Sequence, residues 1–464
     1  MTARAMPTAL IEFDSAHCNA VAAAIDKCGN PPRPDLQQRL DDTAIIHFAS
    51  LGVIEVAGPK SYIFAELNAD GDEDAALAAF AAALAPDLLT ILDAAGIAPP
   101  PQLATWLVAK KLRIGLGPRT VCGLPFDGSP AMTVRRIKAE DRLASWIVDR
   151  PALLRGAGSP AQKLAALRRA LWDDGGFKPA FVPQPAPFLQ PAPPLATWQE
   201  KLRAGAAVAF QFLIWPSPVL PILIILLALL PHKNHWPAHL LWSALWAVAI
   251  LVIAVGAFLL ALRRLEQTDP APDAQPDPRA LEDILKRENF YAHNILMTVS
   301  ILKPARLRRF TLQLALFGVK TLLPLFWAPG RLGDINDIHF ARWVLLPGTN
   351  VLVFRSNYDG SWVNYLEDFV LRAPTGVTAI WSNTLGFPRT SWLALDGAKD
   401  GPRFLQWART QTRPAPFWYS AYPDLSMERI RLQARLARAV ATGTMDDGVR
   451  GWLTSLGDSD GGDF

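Results

Sequence analysis

The sequence predicts an α+β protein in which two antiparallel sheet-and-helix units, related by internal duplication, flank a two-helix transmembrane hairpin. Three observations predict it: two long uncharged apolar runs in mid-chain, a proline-dense stretch on either side of them, and an ordered echo of residues between the flanking parts. With 464 residues, 51% hydrophobic and 19% charged, the chain is too long for one ordinary core and too apolar for disorder. Lys plus Arg number 46 against 42 Asp plus Glu, a near balance that leaves no electrostatic footprint for nucleic acid, so none is expected as a partner. Cys18, Cys28 and Cys122 form an odd set without C-x-x-C spacing, which argues against a zinc knuckle or a disulfide framework and for a reducing compartment.

The apolar runs come first. No Asp, Glu, Lys or Arg lies between Ala204 and His232, or between Lys233 and Arg263, and each run exceeds the roughly 20 residues that cross a bilayer as helix. Pro216, Pro218 and Pro221 break the first run, whereas the second has Trp242 and Trp246 near its start, where amphipathic rings favour the headgroup layer. Lys201 and Arg203 precede the pair and Arg263 with Arg264 follow it, so the soluble parts are expected on the cytoplasmic side of a bacterial inner membrane. The opening MTARAMPTALIEFDSAHCN carries an acid within its short apolar stretch and does not read as a signal peptide.

The expected divisions follow from composition: an N-terminal unit with a helical extension over residues 1–174, a Pro-rich linker over 175–203, the hairpin over 204–265, a second Pro-rich linker over 266–279, and a C-terminal unit over 280–464. The echo ties the two units together. Ile46-His47-Phe48-Ala49 recurs as Ile338-His339-Phe340-Ala341, and Asn68-Ala69-Asp70-Gly71 as Asn357-Tyr358-Asp359-Gly360, with 21 residues from His47 to Asn68 and 18 from His339 to Asn357. In each unit two strand-like apolar runs are followed by a helical stretch. In the second unit GVTAIWS (376–382) and WLALD (392–396) read as further strands before a helix from about Asp400 to Thr410. Strand, strand, helix, repeated, matches a ferredoxin-like sandwich, and two such sheets in one chain can pack face to face around a cavity.

Basic residues Arg306, Arg308 and Arg309 precede the apolar run to Phe326; this element reads either as a helix in the membrane interface or as a core helix of the C-terminal unit. The C-terminal unit also concentrates the side chains suited to chemistry: His339, Arg342, Asn357, Asp359 and Arg389. Strict strand alternation puts His339 and Arg342 on opposite faces unless a bulge intervenes. Asp359 reads as a cap for the following helix or as a catalytic carboxylate, and His339 as a hydrogen-bonded core residue or a metal ligand. Motifs for nucleotide hydrolysis, dinucleotide redox, serine hydrolysis and zincin chemistry are not found.

The segments IHFARWVLL, SNYDGSWVNYLEDF, AIWSNTLGFPRTSWL, WYSAYPDL and HNILMTVSILKPARLRRFTL resemble an uncharacterised bacterial family of membrane-associated proteins, over about 150 residues of the C-terminal unit. Its tandem ferredoxin-like arrangement is similar to that of the dye-decolorising peroxidases, in the dimeric α+β barrel class. That similarity implies haem between the sheets, with His339 or His293 as cofactor and metal ligand. It further implies Asp359, beside Asn357, as the distal acid and Arg342 or Arg389 as the distal arginine. The sequence departs from the family's G-x-x-D-G motif, because Ser356 stands where the leading Gly belongs. The expectation is a membrane-anchored haem peroxidase-like oxidoreductase acting on a hydrophobic or lipid-derived substrate. The alternative is a non-catalytic module that binds lipid or a partner protein at the membrane surface. Oligomeric state is left open by the sequence.

Overall fold

The computed structural model describes residues 4–155, 158–190, 197–214, 236–269, 275, 278–288, 292–392 and 395–458. In chain order the strands are β1 (Arg4–Ala5), β2 (Thr8–Asp14), β3 (Ile46–Glu55), β4 (Lys60–Asp70), β5 (Ile114–Gly115), β6 (Val121–Asp127), β7 (His293–Ile301), β8 (Ile338–Leu345), β9 (Val351–Asp359), β10 (Thr390–Ser391), β11 (Leu395–Asp396) and β12 (Phe417–Ser420). The long ones, β3, β4, β8 and β9, are apolar runs buried along almost their whole length, as strands covered on both faces should be. They form the middle of two sheets. The first runs β1-β4-β3-β12 with β2 also on β4, and the second runs β5-β6-β8-β9-β7.

The expectation of two self-contained ferredoxin-like units fails here. β12, from the C-terminal part of the chain, closes the first sheet against β3, and β6, from the N-terminal part, closes the second against β8. The first sheet therefore takes its edge strand β12 from the C-terminal half and the second takes β5 and β6 from the N-terminal half, giving one mixed α/β body. Hydrophobic pattern fixes which face of a strand is buried but says nothing of which sheet edge it joins.

The two-helix transmembrane hairpin fails too. Among the described residues the one helix long and apolar enough to cross a bilayer is Arg306–Phe326. Of the expected hairpin, residues 215–235 lie outside the described residues, and the flanking parts are helix Trp198–Ile214 and the 33-residue helix Trp236–Thr268. The latter ends on the sheet body through buried Glu266, which accepts from Thr390 Oγ1 at 3.0 Å and the Trp392 N–H at 2.9 Å. The first proline-dense stretch is not a free spacer: it turns through short 3-10 helices, Lys178–Phe181 and Pro187–Leu189, and buries Phe188 against the first sheet's core. Prolines forbid an α-helix there but do not forbid packing.

One expected strand is also corrected. GVTAIWS belongs to a helix, Pro374–Trp381, that starts with proline at a favoured first-turn position and buries Val377, Ile380 and Trp381 at helical spacing. Of WLALD, residues 393–394 lie outside the described residues, and Leu395–Asp396 form β11, paired with β10.

The two sheets meet through a layer that is partly charged. Arg342 on β8 donates to Pro7 O, Thr8 Oγ1, Leu67 O and Asn68 Oδ1 at 2.5–2.9 Å. Arg355 on β9 bonds Ser50, and Glu66 on β4 sits between the two guanidiniums at 3.5 and 3.7 Å. All three side chains are buried, so each charge is held by its partners rather than by water.

Candidate functional site

A bulge sets the site geometry in each sheet. The β3–β4 register shifts between Ile46 and Phe48, and the β8–β9 register shifts between Ile338 and Phe340, so His47 and His339 are the inserted residues. A bulge lets two successive side chains face the same way. His339 and Phe340 accordingly both reach Phe48 of the opposite sheet, with ring centroids 5.3 and 5.7 Å away. Arg342, two residues on, points to the same side, and the parity conflict between His339 and Arg342 disappears.

Each histidine then meets the aspartate at the end of the neighbouring strand. His47 Nε2 lies 3.0 Å from Asp70 Oδ1, and His339 Nε2 lies 2.7 Å from Asp359 Oδ1. The second oxygens accept the Val134 N–H at 2.8 Å and the Met427 N–H at 2.6 Å, which open helices Val134–Val148 and Met427–Thr442. A carboxylate is favoured at a helix N-terminus by the unpaired N–H groups and the dipole. Asp359 thus anchors a helix that starts 68 residues away, and Ser361, not Asp359, caps the helix that follows it. The exchanged strands close both bulges alike, because Ala421 N–H bonds His47 O and Gly128 N–H bonds His339 O.

The sites differ in the residue set opposite each aspartate: Arg4 faces Asp70 in register, whereas His293 faces Asp359. Arg4 pairs with Asp70 at 2.8 Å and Asp127 at 3.0 Å and touches His47 Nε2, while His47 Nδ1 is 2.8 Å from the Tyr422 hydroxyl. His293 Nε2 is instead 2.8 Å from Ser420 Oγ. Burial, reinforced by the Arg4 charge, pushes the His47 pKa down to about 4. Burial likewise holds His293 well below the usual imidazole range, with His339 adding to it. For Asp70 burial acts upward, but the His47 contact, the Val134 N–H and Arg4 together hold its carboxyl below the usual range.

His293, His339 and Asp359 come together as expected site residues. Their ligand atoms lie within 4.8 Å of one another. Asn357 is close in sequence but serves as an acceptor for Trp418 Nε1 at 2.8 Å, linking the sheets. Arg342 spends its donors on the first sheet, and Arg389 is exposed on the loop before β10, where its carbonyl accepts from Gly397. Neither guanidinium is directed at His339. Arg4, Asp127, Ser420, Tyr422 and Glu66 escaped sequence reasoning because they come from distant strands; Arg4 in a short terminal strand carries no local signal.

The residues do not fit haem. The His339 ring is fully buried, with its Nε2 engaged by Asp359 and with Phe48, His293 and Tyr422 centred 5.0–6.2 Å from it. A porphyrin between the sheets would displace this aromatic layer together with Arg342, Arg355 and Glu66.

A different feature has room for a ligand. A cleft of about 450 Å³ lies between helix Arg306–Phe326 and helix Pro374–Trp381, lined among others by Leu322, Leu323, Trp327, Phe369, Ile380 and Trp381. Arg372, half-exposed, is the one charged residue in its lining. Helix Arg306–Phe326 buries Leu312 and Leu316 in the second sheet's core and leaves Leu322 and Phe326 exposed, so it is both core and surface. Most of its basic start is engaged within the protein, as in the core-helix alternative: Lys303 and buried Arg308 both pair with Asp269 and Arg309 bonds Thr349 O, while Arg306 is exposed. Compared with known proteins, the chain matches no family model, no curated protein and no solved structure.

Proposed function

We propose that this protein is a membrane-surface lipid-binding module whose cleft takes an apolar chain. The observation that carries the reading is the cleft itself, which has the size of small-molecule sites and an almost wholly apolar lining with one cation. A second observation supports it. Helix Trp236–Thr268 exposes the large apolar side chains Trp242, Trp246, Val252, Ile253 and Leu260 at 60–70%, a candidate membrane-contacting surface, and its Phe258 packs on Phe310 of the cleft helix. Arg372 suits an anionic or carboxylate headgroup at the rim.

Gly376 lines the cleft, and a Cβ there meets nothing within 4 Å. Gly376→Phe therefore adds a bulky ring at the cleft lining with no clash at its Cβ. Detergent-purified wild type should carry an extractable acyl lipid, read by native mass spectrometry, and float with phosphatidylglycerol vesicles. Gly376→Phe should float equally but carry at least tenfold less lipid. Wild type without bound lipid, in detergent and after vesicle exposure alike, overturns the reading.

A further inference from the structure

The two bulge sites are built to one plan, and the difference between them points to a ligand. In the first, a side-chain cation closes the arrangement: Arg4 stands opposite Asp70, binds that carboxylate and Asp127, and touches His47. The His47 ring is satisfied on both sides, by Asp70 and by the Tyr422 hydroxyl. In the second, the position opposite Asp359 holds His293, and the position matching Asp127 holds Ser420, since Asp127 faces Phe340 in register just as Ser420 faces Phe48. Among the described residues no Lys or Arg forms an ion pair with Asp359.

The second site also leaves an atom unused. A carboxylate only accepts, so the 2.7 Å contact places the His339 proton on Nε2 and leaves a bare lone pair on Nδ1. That nitrogen is buried, the residue is 0% exposed, and no hydrogen-bond partner reaches it among the described residues. An ion held by His339 and Asp359 together takes the Nε2 lone pair in place of that proton, which the open Nδ1 can accept.

We propose that His293, His339 and Asp359 hold one divalent transition-metal ion, which does in the second site what the Arg4 guanidinium does in the first. Two imidazoles and a carboxylate select ions of the zinc, cobalt, iron or manganese type over calcium or magnesium, which prefer oxygen alone. Metal–ligand bonds of about 2.0–2.2 Å need ligand atoms roughly 3.3 Å apart. The present separations, from 2.7 Å up to at most 4.8 Å, bracket that spacing, so shifts of about an ångström suffice. The ion lies in the inter-sheet layer and is independent of what occupies the apolar cleft.

The test uses the full chain in detergent, stripped with chelator and titrated with Co²⁺ alone. Wild type should take up one Co²⁺ per chain with visible d–d absorption, and its melting temperature should rise on adding either Co²⁺ or Zn²⁺. His293→Arg copies the Arg4 arrangement: it should stay folded without metal, lose the absorption, and bind Co²⁺ at least tenfold more weakly. If that single change unfolds the protein, His293→Arg with Ser420→Asp completes the copy and is read the same way. Wild type that binds no Co²⁺ at 100 µM (about a −5.5 kcal/mol threshold) overturns the proposal, as does undiminished binding by a folded His293→Arg chain.

Discussion

At the scale of single residues, the inter-sheet layer is defined by polar groups that water cannot reach, and this makes its stability depend on acid. His47 titrates near 4 when folded and near 6.5 when its environment is lost. The unfolded chain therefore binds the extra proton first. His47 adds nothing to the pH dependence above 6.5, and the folded state loses stability as pH falls from there towards 4, by roughly 1.4 kcal/mol per pH unit for one proton. His47→Gln keeps a polar side chain but removes the titration, so denaturant midpoints measured across this window should slope less steeply, by one proton, than those of wild type. An unchanged slope would place the acid sensitivity elsewhere. Sequence reading found His47, His339 and Asp359 because the His and Asp-Gly pairs recur in order. It did not find the partners of Arg342, because Pro7, Thr8, Leu67 and Asn68 lie in the other half of the chain, nor the bulge, a backbone event that leaves no mark in side-chain identity. Arg4, on a two-residue strand at the start of the chain, had no pattern to belong to.

At the scale of elements, the exchanged strand β6 sits so close to β8 that two of its positions accept no side chain. A Cβ at Gly123 would come within 2.3 Å of Trp343 O, and one at Gly128, just past the strand end, within 1.9 Å of Ile338 O, next to the bulge. Gly128→Ala should therefore push β6 off the bulge and destabilise the protein by about 1–3 kcal/mol or more, as overpacking against backbone does. Gly376→Ala, with open space around its Cβ, should be neutral or slightly stabilising by comparison. Equal melting temperatures for the two variants would contradict this tight approach. The helix Pro374–Trp381 shows the converse limit of sequence reading. Its β-branched and aromatic residues suggested a strand, but burial at positions 377, 380 and 381 and a proline at the start decide for helix once the sheet offers a surface to pack on.

At the scale of the whole molecule, the exchange of β6 and β12 makes each half of the chain a structural part of the other. The N-terminal half supplies β6 to the sheet that carries His339, and helix Val134–Val148 hangs on Asp70. The C-terminal half supplies β12 to the sheet that carries His47, and helix Met427–Thr442 hangs on Asp359. Buried Arg342 and Arg355 belong to one half, while Glu66, Asn68 and Ser50, which satisfy them, belong to the other. Either half alone would expose a long unpaired sheet edge and leave buried charges without partners, and both conditions favour aggregation over folding. Segments 1–190 and 278–464 expressed separately should each be insoluble, whereas co-expressed they should co-purify as a complex whose sheets are completed in trans. A soluble, cooperatively melting 1–190 on its own would mean that the N-terminal half retains β6 within its own sheet, and the interleaved architecture would then be wrong.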